Sequence, residues 1–525
     1  MNPATCSKSV FGDVHTEALA RVADGSAHRL SVEGLTGSSQ GFFLARFWNA
    51  FRSPLLVLSP DTHHAENLLG DLRYFLKHMR LKVQPRMFPG WELLPYEPLS
   101  PLSEISGERV DLLFRMASGR CPIVVTTIET ALQKVLARSV LNQMTYSLKT
   151  GDTADRELLE ICLVDNGYER TALVESRNQF SIRGDILDVF LPSHKYPVRL
   201  EFFGDEIESI RHFDVTSQIS IEVIEGIDIL PVHEICLDSG RLEKGLERIR
   251  QAGEQQNLAA NKLSALEEKI KCLKNFAGIE WLSPWFSDGL DTIFDYLPKG
   301  TVIVTQEPEL LQEKKENFLG LIEEEYDRSR HGDNLVPPPG ALFLDEAELE
   351  KQKEPHSGLS LGGLKLTDAE QESSVQFGVK SLPSLYNHFD GFVAAATGWE
   401  KDNLDVTVVA PTKGHVSRIN ELLLEKDVAV KVEVGLIHQG FTWAEANTVF
   451  VAEHEIFGRS HKHRARRRSR SARFSRGFQD LNKGDLLVHV DYGIGKYNRT
   501  ANCWSTPIGI PTPSSTLKMR TNTFL

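Results

Sequence analysis

The chain has 525 residues, of which 41% are hydrophobic and 25% are charged, and its formal net charge at pH 7 is −13. No apolar run approaches the roughly 18 residues that a membrane-spanning helix needs. The first ten residues lack a basic stretch followed by an apolar core, so we expect no secretory signal. The net negative charge argues against a protein that covers nucleic acid with its whole surface. We therefore expect a cytoplasmic protein of three or four domains.

The six cysteines are scattered singly along the chain. None forms the C-x-x-C pair that is typical of a zinc site or a redox couple. We interpret them as reduced thiols, most of them packing residues: Cys6, Cys121, Cys162, Cys236, Cys272 and Cys503.

Strand-like and helical patterns alternate through the first part of the chain. Residues 55–58 and 123–127 are short β-branched or apolar runs next to proline, whereas 65–76 and 106–116 carry apolar residues at helical spacing. This alternation predicts an α/β domain with a parallel sheet over residues 10–129.

The pattern then changes to a period of two residues. It is clearest at 180–190, 198–202 and 207–210, where apolar and polar side chains alternate. We expect an inserted, antiparallel β-rich domain over residues 130–215. The α/β domain resumes in 216–330, where apolar stripes at helical spacing indicate packed helices.

The rest of the chain divides by composition. A Pro-Pro-Pro stretch that begins at Pro337 indicates a linker, and α/β alternation returns after it. We expect a linker at 331–376, a small α/β domain at 377–458, a basic linker at 459–480, the start of a β domain at 481–497 and a tail without a strand pattern at 498–525.

A short glycine-rich segment has the outline of a phosphate-binding loop. A working loop has the pattern G-x-x-x-x-G-K-[S/T], in which the lysine reaches the β and γ phosphates and the hydroxyl holds magnesium. We align the pattern on Gly34. Its second glycine, lysine and hydroxyl are then replaced by Ser39, Gln40 and Gly41, although Gly34 and Gly37 can still make the turn. We therefore expect a vestigial loop that does not hydrolyse ATP.

Asp345 and Glu346 end an apolar run, as the acids of the magnesium-binding strand of helicases do. They follow the Pro-Pro-Pro stretch directly and lie some 300 residues from the loop candidate. We interpret them as two solvated acids of an ordinary packed segment.

Residues 459–476 contain nine Lys or Arg and no Asp or Glu. His454, Glu455, His461 and His463 lie in or before this run, but their spacing matches no metal-ligand pattern and their surroundings are cationic, so we expect no metal site. Two interpretations of the run stay open. It neutralises DNA phosphates in a weak contact, or it is a flexible charged connector between domains.

An ordered series of motifs points to a family. In chain order they are GLTGS at 34–38, WELLPYE at 91–97, IVVTT at 123–127, GYER at 167–170, IRGDILDVF at 182–190, EFFGDEIESIR at 201–211, GIEW at 278–281, EHEIFG at 453–458 and GDLLVHVDYGIGKY at 484–497. The series resembles the N-terminal half of the bacterial transcription-repair coupling factor family, over roughly residues 10–497. An ordered series of this length is far more specific than any one motif.

The resemblance implies a module similar to the excinuclease B subunit, which is a helicase-type α/β domain with a degenerate phosphate loop and an inserted β-rich domain. The losses at Gln40 and Gly41 are then typical of the family. The damage-probing β-hairpin of the B subunit has no room between Pro95 and Ile123. The resemblance thus implies a binding scaffold without catalytic residues, metal or cofactor.

The resemblance also implies partners. The inserted domain would bind the excinuclease A subunit (UvrA), with Arg170, Arg183 and Phe180 as contacts. From the residues alone, these arginines pair with neighbouring acids such as Asp185 or Asp188. The segment after residue 481 resembles the start of a small β-barrel that binds the RNA polymerase β subunit.

Family members continue with further strands, with two motor lobes that use ATP and magnesium to translocate on DNA and displace a stalled polymerase, and with a regulatory domain. Residues 498–525 resemble none of these parts, so we expect a truncated product that recruits the A subunit without a motor. Two rival functions stay open. One is a divergent excinuclease-B-like helicase, and the other is a polymerase-binding regulator that uses only residues 484–497.

Overall fold

The structure, a computed structural model, describes residue 11, residues 13–273, 276–331, 334–362, 374–385, 389–428 and 430–458, and two strands at 486–489 and 493–496. The described residues up to 458 belong to one unit, and the two later strands belong to a second unit that we describe by itself. No helix within the described ranges is long and apolar enough to cross a membrane.

The helices are α1 (Asp13–Ala23), α2 (Ser39–Phe51), α3 (Thr62–His78), α4 (Ser103–Ala117), α5 (Ile128–Leu132), α6 (Arg138–Met144), α7 (Arg156–Asp165), α8 (Ser239–Gln255), α9 (Ala260–Leu273), α10 (Ser283–Phe286), α11 (Pro308–His331), α12 (Pro339–Leu342), α13 (Glu346–Lys353), α14 (Phe389–Lys401), α15 (Lys413–Glu425) and α16 (Glu453–Phe457). Short 3-10 turns cover Ile279–Leu282, Ile293–Tyr296 and Ala444–Ala446.

The strands are β1 (Arg29–Glu33), β2 (Leu55–Ser59), β3 (Arg86–Met87), β4 (Ile123–Thr127), β5 (Tyr146–Lys149), β6 (Glu169–Arg170), β7 (Gln179–Arg183), β8 (Ile186–Val189), β9 (Val198–Phe203), β10 (Glu206–Phe213), β11 (Ser220–Val223), β12 (Gly226–Ile229), β13 (Val302–Gln306), β14 (Ser357–Leu361), β15 (Ser374–Gln376), β16 (Val379–Ser381), β17 (Asp405–Ala410), β18 (Lys431–Val434), β19 (Phe441–Trp443), β20 (Thr448–Ala452), β21 (Leu486–His489) and β22 (Gly493–Lys496).

A seven-stranded parallel sheet organises the first domain, in the order β15-β1-β14-β13-β2-β4-β3. All five residues of β2 and of β4 are buried, as expected of central parallel strands that are covered on both faces. On one face, α3 begins at the N-cap Asp61, whose carboxylate accepts a hydrogen bond from the backbone N–H of His64. The predicted parallel α/β domain is confirmed.

The inserted domain is a six-stranded sheet in the order β11-β10-β9-β8-β7-β6, and all its pairings are antiparallel except β6 with β7. Leu159 and Leu163 of α7 pack with Leu187 and Leu200 of the sheet in a core of their own. The short pair β5 and β12 closes the same unit. The predicted antiparallel, β-rich insertion is confirmed as an element of the fold.

The sheet of the small α/β domain has the order β16-β19-β20-β17-β18. One of its faces shares a core with α2 and α3 of the first domain. The ring centroids of Phe42 and Phe441 lie 5.7 Å apart, and those of Phe75 and Phe450 lie 5.0 Å apart. Because aromatic pairs of this kind add to the energy of burial, the two α/β domains are joined by packed core.

Two predicted boundaries differ from the structure. The expected linker at 331–376 contains β14, which lies inside the seven-stranded sheet between β1 and β13, and β15 at its edge. The insertion was expected to span 130–215, but α5 and α6 pack in the core of the first domain, whereas β12 pairs with β5. The strands of the inserted unit therefore run from Tyr146 to Ile229. In the second unit, β21 and β22 form an antiparallel pair.

Candidate functional site

The vestigial loop joins β1 to α2 and is packed against other parts of the first unit. Gly34 and Gly37 have positive φ angles of 78° and 56°. A Cβ on Gly34 would lie 2.1 Å from the carbonyl oxygen of Phe377, and one on Gly37 would lie 3.0 Å from the side chain of Gln439. The glycines therefore permit both the turn and the close approach of two later segments.

Backbone N–H groups of the loop donate hydrogen bonds within the loop or to the segment at Gln439. The N–H of Thr36 donates to Ser39 Oγ at 2.8 Å, and the N–H of Ser39 donates back to the Thr36 carbonyl at 3.2 Å. The N–H of Ser38 donates to the carbonyl of Gln439 at 3.3 Å. In a working phosphate loop these groups face the nucleotide.

A buried carboxylate fixes the small α/β domain to the loop. Asp71 of α3 is fully buried, and its Oδ1 accepts from Ser38 Oγ and from the N–H of His438, both at 2.9 Å. Its Oδ2 lies 2.5 Å from His438 Nδ1. Ser38 Oγ also accepts from the N–H of Gln439 at 3.0 Å. We call Ser38, Asp71, His438 and Gln439 the interdomain clamp.

Electrostatics favour the charged form of the clamp histidine. Burial acts to lower the pKa of His438, but attraction to the Asp71 carboxylate and their hydrogen bond outweigh it, with a smaller contribution from Glu455, and the pKa is raised. An imidazolium beside a buried carboxylate is the pairing that such burial requires.

Gln40 and Gly41, at the lysine and hydroxyl positions of the phosphate-loop pattern, contact other parts of the first unit. Gln40 Nε2 donates to Glu307 Oε1 at 2.6 Å, and Gln40 Oε1 accepts from Gln306 Nε2 at 2.8 Å. Gly41 lies so close to α3 that an added Cβ would come within 2.6 Å of the Cβ of Asp71. The Gln40 hydrogen bonds hold the end of β13 against α2, and the close approach at Gly41 packs α2 against α3.

ATP and magnesium do not fit this loop. Gln439 is packed against the turn at Gly37, the Asp71 carboxylate would repel a phosphate, and Gln40 carries no charge to neutralise one. The residues that now contact the loop therefore occupy or oppose the place where a nucleotide phosphate would lie. No step of any reaction is assigned to it.

The same face of α3 makes further contacts with the small α/β domain. The hydroxyl of Tyr74 donates to Glu433 at 2.9 Å, and His78 Nδ1 lies 2.7 Å from the same carboxylate. Burial acts to raise the pKa of Glu433, but hydrogen bonds from Lys431, His78 and Tyr74 lower it to about 2. A Cβ on Gly435 would lie 2.3 Å from the Tyr74 ring, so the backbone approaches closely there.

The clamp was missed at the sequence level. Asp71 lies on an apolar helix beside Leu72, and an acid on the buried stripe of a helix signals a specific buried partner. That signal was present in the sequence. Its partner His438 is 367 residues away and has no motif, so it could not be identified.

Asp345 and Glu346 have structural roles. The Asp345 carboxylate is the N-cap of α13 and accepts from the N–H of Glu348, and Glu346 forms a 2.7 Å ion pair with Lys315. Neither acid follows a strand of the seven-stranded sheet, so the structure supports the interpretation as ordinary acids.

Metal and thiol chemistry give no further site within the described residues. No group of three or more His, Cys, Asp or Glu there could hold a metal ion. His461 and His463 lie outside the described residues, as do Cys6 and Cys503. The four described cysteines are free thiols, and burial raises the pKa of Cys121 to about 11 and that of Cys236 to about 12, which leaves both unreactive.

The three contact residues predicted for the inserted domain have different environments. Phe180, predicted as a contact, is fully buried in the core under α7, so its ring offers no exposed surface. Arg183 is 45% exposed and donates to Asp188 at 2.8 Å, as the residues alone suggested. Arg170 is 57% exposed and pairs with Glu160 of α7.

The two arginines lie on opposite faces of the six-stranded sheet. Arg170 is in register with Phe180, whose side chain faces α7. Arg183 is three residues further along β7 than Phe180, and alternation places it on the other face, where its partner Asp188 also lies. The predicted contacts therefore do not form a single flat patch.

The inserted unit coincides with a known domain family. Residues 146–234 match the family model described as the UvrB interaction domain. The chain is also 33% identical over 516 residues to the transcription-repair-coupling factor of Myxococcus xanthus. This alignment covers 90% of this chain and 42% of that protein. It is 27% identical over 488 residues to the factor of Escherichia coli K12, with coverages of 88% and 41%, and 23% identical over 497 residues to that of Bacillus subtilis, with coverages of 89% and 41%.

The similarity extends well beyond the inserted domain, to about nine tenths of this chain. The chain spans about two fifths of the length of the curated relatives it matches. The resemblance inferred from the ordered motifs is thereby confirmed: over about nine tenths of its length the chain is similar to transcription-repair-coupling factors.

Proposed function

We propose that the chain acts in transcription-coupled nucleotide-excision repair and that its own part is to recruit the excinuclease A subunit through the inserted domain. The observation that carries the proposal is that residues 146–234 both match the UvrB interaction domain and form a unit with a core of its own. A unit with its own core presents a rigid surface to a partner. The role implies a cytoplasmic location.

The charge of the inserted domain supports a protein partner over nucleic acid. Residues 146–234 contain 8 Lys or Arg and 18 Asp or Glu. Such an excess of acid disfavours contact with phosphates, which nucleic-acid binding requires. DNA contact, if it occurs in this chain, belongs to the basic run at 459–476, and polymerase binding belongs to residues 481–497; both are family-level proposals, as is motor-driven displacement of the polymerase by the whole protein.

The interdomain clamp opposes the rival reading of the chain as a helicase of the excinuclease B type. The loop that would hold the nucleotide is committed to Asp71, His438 and Gln439. Purified chain should show no ATP turnover above background. Turnover that is abolished by Gln40→Ala would contradict the proposal.

Binding of purified A subunit to the immobilised full chain tests recruitment. Arg183→Glu should weaken binding, because reversing an exposed interface charge slows association. Arg250→Glu is the matched control, since Arg250 is 50% exposed and ion-paired to Glu267 in the helical region outside the inserted domain. Arg170→Glu reports on the opposite face of the sheet. Wild-type chain that does not bind the A subunit would refute recruitment.

A further inference from the structure

Two adjacent hairpin turns lie at one end of the six-stranded sheet, one preceded by a basic side chain and the other by an aromatic one. Arg183 precedes the turn at Gly184, and Phe203 precedes the turn at Gly204. Both glycines have positive φ angles, 59° and 64°, and a Cβ on either would have no other atom within 4 Å. The space next to each glycine is therefore open, although the turns are held from the side: Arg156 donates to the Gly184 carbonyl at 3.0 Å, and the N–H of Ala154 donates to the Asp205 carbonyl at 2.8 Å.

Strand register places the two side chains on the same face. Arg183 is in register with Ile186, and Ile186 is in register with Glu201. Phe203 is two residues beyond Glu201 on β9, so its side chain points to the same side. The turns are also in contact, since the N–H of Phe202 donates to the carbonyl of Asp185 at 2.8 Å.

One buried carboxylate at this end of the sheet is shared by two arginines. The carboxylate of Asp188 is fully buried and receives two hydrogen bonds from Arg199, at 2.7 and 2.9 Å, as well as the one from Arg183. One carboxylate therefore compensates two guanidinium groups. Arg199 is largely covered, whereas Arg183 is 45% exposed, so the Arg183 guanidinium is the one that a partner can reach.

Phe203 is 81% exposed, the largest exposure among the described large apolar side chains. Its position contrasts with that of Phe180, the aromatic residue expected at the contact, which lies in the core. A large exposed ring on the same face as an exposed arginine is a composition enriched among the residues that dominate binding energy in protein interfaces. Because Asp205 and Glu206 complete the second turn, the patch is mixed in charge, and the ring supplies its apolar part.

We infer that Phe203 is the aromatic anchor of the contact with the excinuclease A subunit. This inference rests on the proposed function. The partner then offers an apolar pocket of the size of a phenyl ring, with a carboxylate at the rim that meets Arg183. The ring supplies affinity through burial, and Arg183 supplies orientation and rate of association.

The test is a titration of the full chain with purified A subunit, comparing wild type with Phe203→Ala and Phe203→Leu. We expect Phe203→Ala to weaken binding by at least about 30-fold and Phe203→Leu to weaken it by less, with the melting temperature of both variants unchanged. Leu424→Ala is the matched control, because Leu424 is 80% exposed on α15 of the small α/β domain. It should bind like wild type.

The outcomes separate the anchor from the proposed function. Wild-type chain that fails to bind the A subunit overturns recruitment and the anchor with it. Wild-type binding that is matched within about twofold by both Phe203 variants overturns the anchor and leaves recruitment standing. Phe203→Ala binding that is weakened no more than the binding of Leu424→Ala also overturns the anchor.

Discussion

Replacing Asp71 by asparagine tests the interdomain clamp. The substitution keeps the size of the side chain but removes its charge and places an amide NH2 where one oxygen now accepts from His438 Nδ1. Loss of a hydrogen bond to a charged group costs about 1.5–3 kcal/mol, and leaving the opposing donor without an acceptor adds about 1 kcal/mol. We therefore expect the free energy that holds the small α/β domain in place to fall by about 3 kcal/mol, which is a rise of roughly 100-fold in the population of the opened form.

Hydrogen-exchange mass spectrometry measures this opening directly. Peptides that cover residues 434–443 should lose protection in Asp71→Asn. The backbone N–H of His438 donates to Asp71, and that of Gln439 donates to Ser38. Asp61→Asn is the control, since Asp61 caps the same helix and its carboxylate bonds to His64 rather than to a residue of the clamp. Protection of residues 434–443 that is unchanged in Asp71→Asn would refute the clamp.

Three further predictions concern the clamp, the loop and the inserted domain. The pKa of His438 is raised on folding, so its contribution to stability is complete below about pH 6.5 and is lost as the pH rises through the folded value. The melting temperature should therefore fall over that pH range, and the fall should be smaller in His438→Gln. Gly34→Ala should lower the melting temperature far more than Gly25→Ala, because both glycines have positive φ but only Gly34 lies against a backbone carbonyl. Phe180→Ala should destabilise the inserted domain by about 3–5 kcal/mol in denaturant titrations, and a loss below about 1 kcal/mol would contradict its place in the core.

The elements that were predicted correctly from the sequence carry local signals. Residues 55–58 are a continuous apolar run and 123–127 a β-branched one, and they form central strands whose residues are all buried. The missing lysine at Gln40 predicts a loop without phosphate chemistry, and in the structure Gln40 bonds to Gln306 and Glu307. In these cases the composition of a few neighbouring residues is sufficient to specify the environment.

The elements that were missed depend on distant contacts. Strand β14 has the sequence SGLSL, whose glycine and serines do not suggest a central strand, and its neighbours β1 and β13 are far away in the chain. The alternating pattern around Phe180 specified a strand but not which side faces α7, so a core residue was taken for a contact. The clamp joins residues from both α/β domains and has no local signature.

The central claim is that the inserted domain recruits the excinuclease A subunit. Isothermal titration of the full chain with the purified A subunit at micromolar concentrations tests it most directly. The account predicts saturable binding that Arg183→Glu weakens and that Arg250→Glu leaves unchanged. Absence of binding by the wild-type chain, or equal binding by both variants, would contradict it.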